Sequence, residues 1–329
     1  NLKEDFSGGR LIQENFLYDT LVGGPYAKGA TFDITQKQIE QAGQFIPKYF
    51  YTNISLYKED IQVLNKGADT EIFDIVQSRT EVGYQNIGAQ LALAVYGEGQ
   101  GTLAAYWVNS INGLAEALND NSTASWNTQT YSTYGTITRG GTVGTALNSI
   151  PVNVAGSIDY PTLEEQYGNA SFGAIEPNLI VTTVLGYSYI KEKFQAQQRY
   201  ESVTDLNLGI TGMKFNGATL LKDRYAPGSY LDGTSGRADK VANVFMDTIS
   251  GVVGTRYPAL QATGETLWIL TAKKPFMQFY VTDDPEFGFG FTGFKPAQDN
   301  NTIAGQILFA GNLTVPGPRY HKQLYGISG

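Results

Sequence analysis

The chain has 329 residues and a mass of 35.8 kDa, with no cysteine, one histidine, 38 glycines and 21 tyrosines. The lack of cysteine excludes a disulfide framework, zinc–cysteine and iron–sulfur sites and a thiol nucleophile, and the single His321 excludes the two-histidine zinc motifs. Lys and Arg total 23 against 31 Asp and Glu, giving a net charge of −8 and a pI near 4.8, which does not suit a protein whose main task is neutralising phosphates.

Residues 1–22 lack a clean period and read as an arm. Residues 23–58 open with Gly23-Gly24-Pro25 and contain two extended, aromatic-rich pieces, Ala30 to Ile34 and Tyr49 to Tyr57. Together these predict a two-stranded excursion, and because a lone hairpin is marginal in water it needs something outside itself to lie on. The strongest helix runs from Thr70 to Tyr96, with Asp69 or Thr70 as its cap and Glu71 and Asp74 at the positive end of the dipole. Ile72, Ile75, Val76, Val82, Ile87, Leu91, Ala94 and Val95 recur near helical spacing. Gly83 and Gly88 each lower helix propensity by about 1 kcal/mol, so both predict the close approach of a neighbour. The run Gly97-Glu-Gly-Gln-Gly101 stops the helix.

Residues 102–150 read as loops and short strands, with a helical piece at 112–117. Pro161 suits the first turn of a second helix ending at Gly168. The stretch Asn178 to Thr183 reads as a buried strand feeding a third helix to about Arg199, with Tyr187, Ile190 and Phe194 on one face. The remaining strands are expected at 212–215, 219–221, 266–271, 276–281, 306–308 and 320–327. No repeat with a period of about 20–50 residues is present, and no apolar run approaches the roughly 18 residues of a membrane span.

Motifs that could carry chemistry are weak. Gly97-x-Gly99-x-Gly101 follows a helix, whereas a dinucleotide fingerprint follows a strand. Gly140-Gly-Thr-Val-Gly-Thr145 lacks a phosphate-loop lysine, and Asp283-Asp284-Pro-Glu286 reads as an acidic turn rather than a cation site. His321 has no local nucleophile or carboxylate, so it reads as an interface or strand-edge residue. Asn53, Asn121, Asn169, Asn300 and Asn312 form Asn-x-Ser/Thr triplets, which a chain this rich in those residues produces by chance. No catalytic residue, cofactor or metal is assigned. Only 16% of residues are charged, against a usual value of about 25%, and 12% are aromatic. Obligate interfaces resemble cut-open cores, rich in Tyr and Phe, so this composition favours a surface covered by other chains over the alternative of a large monomer with a neutral Ser/Thr/Asn surface.

The words Asn112-Gly-Leu114, Tyr134-Gly-Thr-Ile-Thr-Arg139, Pro161-Thr-Leu-Glu-Glu-Gln-Tyr167, Pro177-Asn-Leu-Ile-Val-Thr-Thr183 and Gly311-Asn-Leu313 with Arg319 carry a resemblance. In this order the sequence resembles the major capsid proteins of tailed bacteriophages, whose α+β shell fold is that of phage Hong Kong 97. The resemblance implies an N-terminal arm at 1–22 and an extended loop (E-loop) at 23–58. It implies a peripheral (P) domain at 59–100 and 290–329, with a spine helix at about 70–96, and an axial (A) domain over most of 101–289. Part of the peripheral domain is expected around 155–170. It further implies a non-enzymatic subunit that assembles with many copies of itself, as hexamers and pentamers of an icosahedral head, in the cytoplasm of a host bacterium. Double-stranded DNA would lie on the inner face without sequence specificity, with scaffolding, portal and decoration proteins as further partners. Tyr26, Phe32, Phe45, Tyr49 and Tyr51 are the expected loop contacts, and Arg79 and Arg139 the expected polar interface partners. Some relatives cross-link the loop through lysine; Lys28, Lys37 and Lys48 lie here, but no cross-link is expected. An encapsulin-type compartment shares the fold, and a secreted glycan-binding or glycan-hydrolysing β-rich protein is the alternative from another class.

Overall fold

A computed structural model of the chain describes residues 2–58, 69–101, 108–195, 213–228, 264–296 and 301–329, leaving aside the side chains of 69–75 and 194–195. The expected helix positions Ile72, Ile75 and Phe194, the third helix beyond 195, Gly212 and Asn300 fall outside that description.

Among the described residues, two six-stranded sheets organise the molecule. The first is built on β15 (Thr302–Thr314), its longest strand. Along one side of β15 runs β4 (Lys48–Tyr57), paired antiparallel over its whole length. Along the other side lie β14 (Lys295–Pro296), β13 (Gly288–Phe291) and β12 (Gln278–Thr282), with β1 (Lys3–Phe6) parallel to β12 at the far edge. Strict alternation explains β4. Phe50, Thr52, Ile54 and Leu56 turn inward, while Tyr49, Tyr51, Asn53, Ser55 and Tyr57 stay exposed.

Helix α1 (Asp69–Tyr96) crosses the inner face of this sheet. At 1.5 Å per residue it is about 42 Å long. A methyl group at Gly83 would lie 2.9 Å from Ile54 Cδ1 and 3.0 Å from Ile307 Cδ1, so the glycine lets the helix sit directly on β4 and β15. Gly88 has no such role, for open space surrounds its Cα. Ile87, Leu91 and Ala94 are buried as their spacing predicts, but Val82 is exposed, because it falls a quarter-turn away from the face marked by Gly83 and Ile87.

The second sheet has the order β7 (Val152–Ser157), β16 (Lys322–Ser328), β11 (Glu265–Leu270), β8 (Leu179–Thr182), β10 (Ala218–Lys222), β9 (Met213–Phe215). All six residues of β11 are buried, and alternate residues face different cores. Leu267 and Ile269 pack with α4 (Tyr160–Ala170) and α5 (Val184–Gln195) residues such as Leu163, Tyr167 and Ile190. Trp268 and Leu270 join the larger core shared with the first sheet, where the Trp268 ring lies 5.6 Å from Tyr96 at the end of α1. Helix α4 starts one residue before Pro161 because the Asp159 carboxylate accepts the Thr162 N–H at 3.0 Å.

Smaller pieces fill the junction: α2 (Leu114–Ala117), the hairpin of β5 (Thr133–Tyr134) and β6 (Ile137–Thr138), and α3 (Thr142–Leu147). A two-stranded ribbon, β2 (Ile12–Leu17) against β3 (Glu40–Phe45), projects from the junction.

The ribbon corrects the expected excursion. Ala30 to Ile34 form no strand, and Tyr49 to Tyr57 belong to the first sheet instead. The arm supplies the missing strand, because Ile12, Glu14 and Phe16 alternate inward opposite Phe45. The expected boundary at 289/290 does not follow the sheets either. Strand β12 lies in the first sheet, whereas β16 and α4 belong to the second. Strand partners so distant in sequence leave no local mark of their sheet.

Candidate assembly surface

The ribbon is anchored by one face. The Phe16 and Phe45 rings meet Tyr134 at 6.1 and 5.1 Å, and the Gln44 N–H donates to Gly135 O at 2.8 Å. Gly135 is required here: its φ is +54°, and a Cβ would lie 2.6 Å from Phe45 Cζ. Beyond the ribbon, residues 19–38 form an irregular tip closed by Tyr18 N–H to Ile39 O at 3.0 Å. Within the tip, Tyr26 and Phe32 pack edge to face at 4.9 Å, and Lys37 pairs with Asp19 at 2.6 Å. These contacts leave the apolar atoms outside: Leu21 is 73% exposed, Tyr26 67%, Phe32 63% and Ile34 93%.

A second apolar surface is the outer face of β4. Tyr49, Tyr51 and Tyr57 stand exposed in a row, with Phe287 6.3 Å from Tyr49. Val82 and Tyr84 are exposed on α1, where the Arg79 guanidinium donates to Ser55 O at 2.8 Å. Of the expected contact residues, Tyr26, Phe32, Tyr49, Tyr51 and Arg79 therefore lie at the surface. Phe45 and Arg139 do not, and both are corrections. Phe45 is 2% exposed in the ribbon seam. Arg139 is 3% exposed, and its guanidinium donates to Glu116 O at 2.7 Å, Ala117 O at 2.9 Å and Asn119 O, closing the carbonyl end of α2.

Arg139 belongs to a buried polar knot where several separated sequence words meet. Asn312 Oδ1 accepts the Asn112 N–H at 2.9 Å, and Asn312 Nδ2 donates to Asn112 Oδ1 at 2.7 Å and to Ile46 O at 2.9 Å. Asn112 Nδ2 and Gln100 Nε2 donate to Glu116 at 2.9 Å, and the Gly99 N–H donates to it at 2.8 Å. Burial raises the Glu116 carboxyl and lowers Arg139 to about 10. The knot ties the end of α1 and the base of β4 to β15. The Lys48 ammonium donates to Gly99 O at 3.3 Å and to Val108 O, and burial pushes its pKa down.

His321 is fully buried just before β16, not at an exposed edge. Its Nδ1 accepts the Thr271 N–H at 3.1 Å, so Nε2 carries the proton and donates to Phe276 O at 3.2 Å. Desolvation lowers its pKa to about 4. In the acidic turn, Asp284 Oδ1 accepts the Glu286 N–H at 2.8 Å and the Phe287 N–H at 3.1 Å. Sequence reasoning missed Glu14, Asn112, Glu116 and Asn312 as structural polar groups. Glu14 alone left a signal, an acid at an inward position of an alternating strand.

No protein-family model matches the chain, and no curated protein matches it by sequence. Solved structures do match. An encapsulin shell in the holo-SrpI complex from Synechococcus elongatus superposes with a TM-score of 0.59 at 8% identity, covering 99% of this chain and 85% of that one. The capsid of cyanophage A-1(L) gives 0.59 at 12% identity, covering 97% and 89%. The capsid of a native GTA particle gives 0.58 at 9% identity, covering 99% and 88%. Likeness over nearly the whole length establishes the architecture: this is the α+β Hong Kong 97-type shell fold.

Proposed function

We propose that the protein is the major capsid subunit of a tailed phage, a structural and non-enzymatic chain that self-assembles into an icosahedral shell around double-stranded DNA. One observation carries the reading: residues 19–38 expose Leu21, Tyr26, Phe32 and Ile34 on a tip with no core of its own. Apolar side chains grouped this way mark a binding surface rather than a stable free end. A neighbouring copy offers the tyrosine row of β4 and the exposed part of α1. In this reading the tip (19–38), carried on β2 and β3, is the part of the arm and extended loop that reaches across to a neighbour, the spine lies in a peripheral domain, and the second sheet forms the axial domain. Tyr26, Phe32, Tyr49, Tyr51 and Arg79 are the proposed contacts. A net charge of −8 suits a wall that does not grip its cargo.

Replacing residues 20–37 by Asn-Gly tests this directly. The cut spares β2 and β3, whereas a deletion through residue 50 would also remove β3 and the first residues of β4. The variant should unfold cooperatively near the wild-type temperature and yield no closed particles in electron micrographs. Normal particles from it would refute the reading. The encapsulin likeness supports a second reading, a protein-filled compartment, which particle contents resolve: DNA in one case, a co-purifying protein in the other.

A further inference from the structure

The ribbon's inward face holds one ionisable group among apolar ones. Ile12, Glu14, Phe16 and Phe45 are all buried, and Glu14 is 7% exposed. The carboxylate sits where three strands of the first sheet meet the ribbon. The Thr314 hydroxyl on β15 donates to Glu14 Oε1 at 3.0 Å, and the Tyr280 hydroxyl on β12 bonds to the same group. Glu4 on β1 faces it as a like charge, itself paired with Lys274 at 2.6 Å. The Tyr134 phenol on β5 feels its charge, with Arg139 5.5 Å over the Tyr134 ring. On β3, the residue opposite Glu14 is Gly43, which offers no side chain. Among the described residues, the groups acting on Glu14 are hydroxyls and another acid, with no cation. Hydroxyl contacts of this kind satisfy a carboxyl group but do not neutralise a buried carboxylate.

We infer that Glu14 is a positioning residue, the proton-sensitive seat of the ribbon: protonated, it lets the ribbon dock, and ionised, it loosens the seam. The ribbon carries the tip, so its docking sets the direction in which residues 19–38 leave the body. The seat is a property of the single chain. Only its consequence for assembly rests on the shell reading.

The sign follows from burial, which raises the Glu14 pKa above the value of 4.5 for a free glutamate. Below 4.5 docked and released forms are both protonated, and docking is at full strength. Above it the released ribbon loses its proton while the docked one keeps it, so docking weakens as pH rises through the window between the two values. The slope is at most one proton, about tenfold per pH unit.

Hydrogen exchange of the full chain, held as dissociated subunits, tests this from about pH 4, below the free-glutamate value, up to about pH 8 after correction for intrinsic rates. Amides of 12–17 and 40–45 should lose protection with rising pH relative to those of β11. Glu14→Gln keeps the shape and removes the charge, so its ribbon protection should be flat. Thr314→Val removes a donor to the carboxylate and should move the window to higher pH. A flat wild-type profile, or a Gln variant with the wild-type slope, overturns the inference. Because the measurement needs no particle, it can fail while the shell reading stands, and the reverse.

Discussion

His321 shows how one residue couples acidity to the whole fold. Its neutral ring joins Thr271 to Phe276, and protonation destroys the acceptor at Nδ1. The folded pKa near 4 lies below the ordinary 6.5, so its contribution is complete above pH 6.5 and is lost as pH falls toward 4. The difference amounts to about 3 kcal/mol. Urea unfolding at stepped pH should show stability falling through that window. His321→Gln should flatten the fall while lowering stability at pH 7 by about 1–3 kcal/mol. An unchanged pH profile in the variant would assign the acid sensitivity to other groups. At the same scale, the Phe32→Ser substitution should leave unfolding within about 0.5 kcal/mol of wild type, since the ring is exposed. Particle yield should drop several-fold, read by sedimentation.

Among the elements, α1 separates propensity from packing. Gly83→Ala gains about 1 kcal/mol of helix propensity, yet its methyl group meets Ile54 and Ile307. Overpacking of this kind costs about 1–3 kcal/mol, so the net change should be zero to destabilising. Gly88→Ala faces open space and should stabilise by about 0.5–1 kcal/mol. Thermal unfolding of the two variants side by side checks the contrast, and equal shifts would contradict the packing described. The ribbon teaches the complementary lesson. Its two strands are short and separated by a tip with no regular structure, and they persist because Phe16 and Phe45 find Tyr134.

For the whole molecule, the consequence is a division between a closed body and an open appendage. The body holds two cores that meet at β11, whose alternate residues enter one or the other. The tip of the appendage leaves Leu21, Tyr26, Phe32 and Ile34 outside, and on the proposed reading a neighbouring copy covers them. Trading the tip for a two-residue turn should therefore separate folding from assembly.

Local pattern in the chain determined α1, the strand of β4, the buried β8, the strand β11, the place of α4 near Pro161 and the exclusion of thiol nucleophiles, zinc–cysteine sites and two-histidine zinc motifs. Each of these depends on neighbours a few residues apart. Other features required the tertiary structure: that β2 rather than residues 30–34 pairs with β3, that β12 and β16 belong to different sheets, and that Phe45 and Arg139 lie inside. Asn112 reaching Asn312, or Glu14 reaching Thr314, depends on segments hundreds of residues apart. Contacts of that range are selected by the packing of the whole chain, and local periodicity carries no record of them.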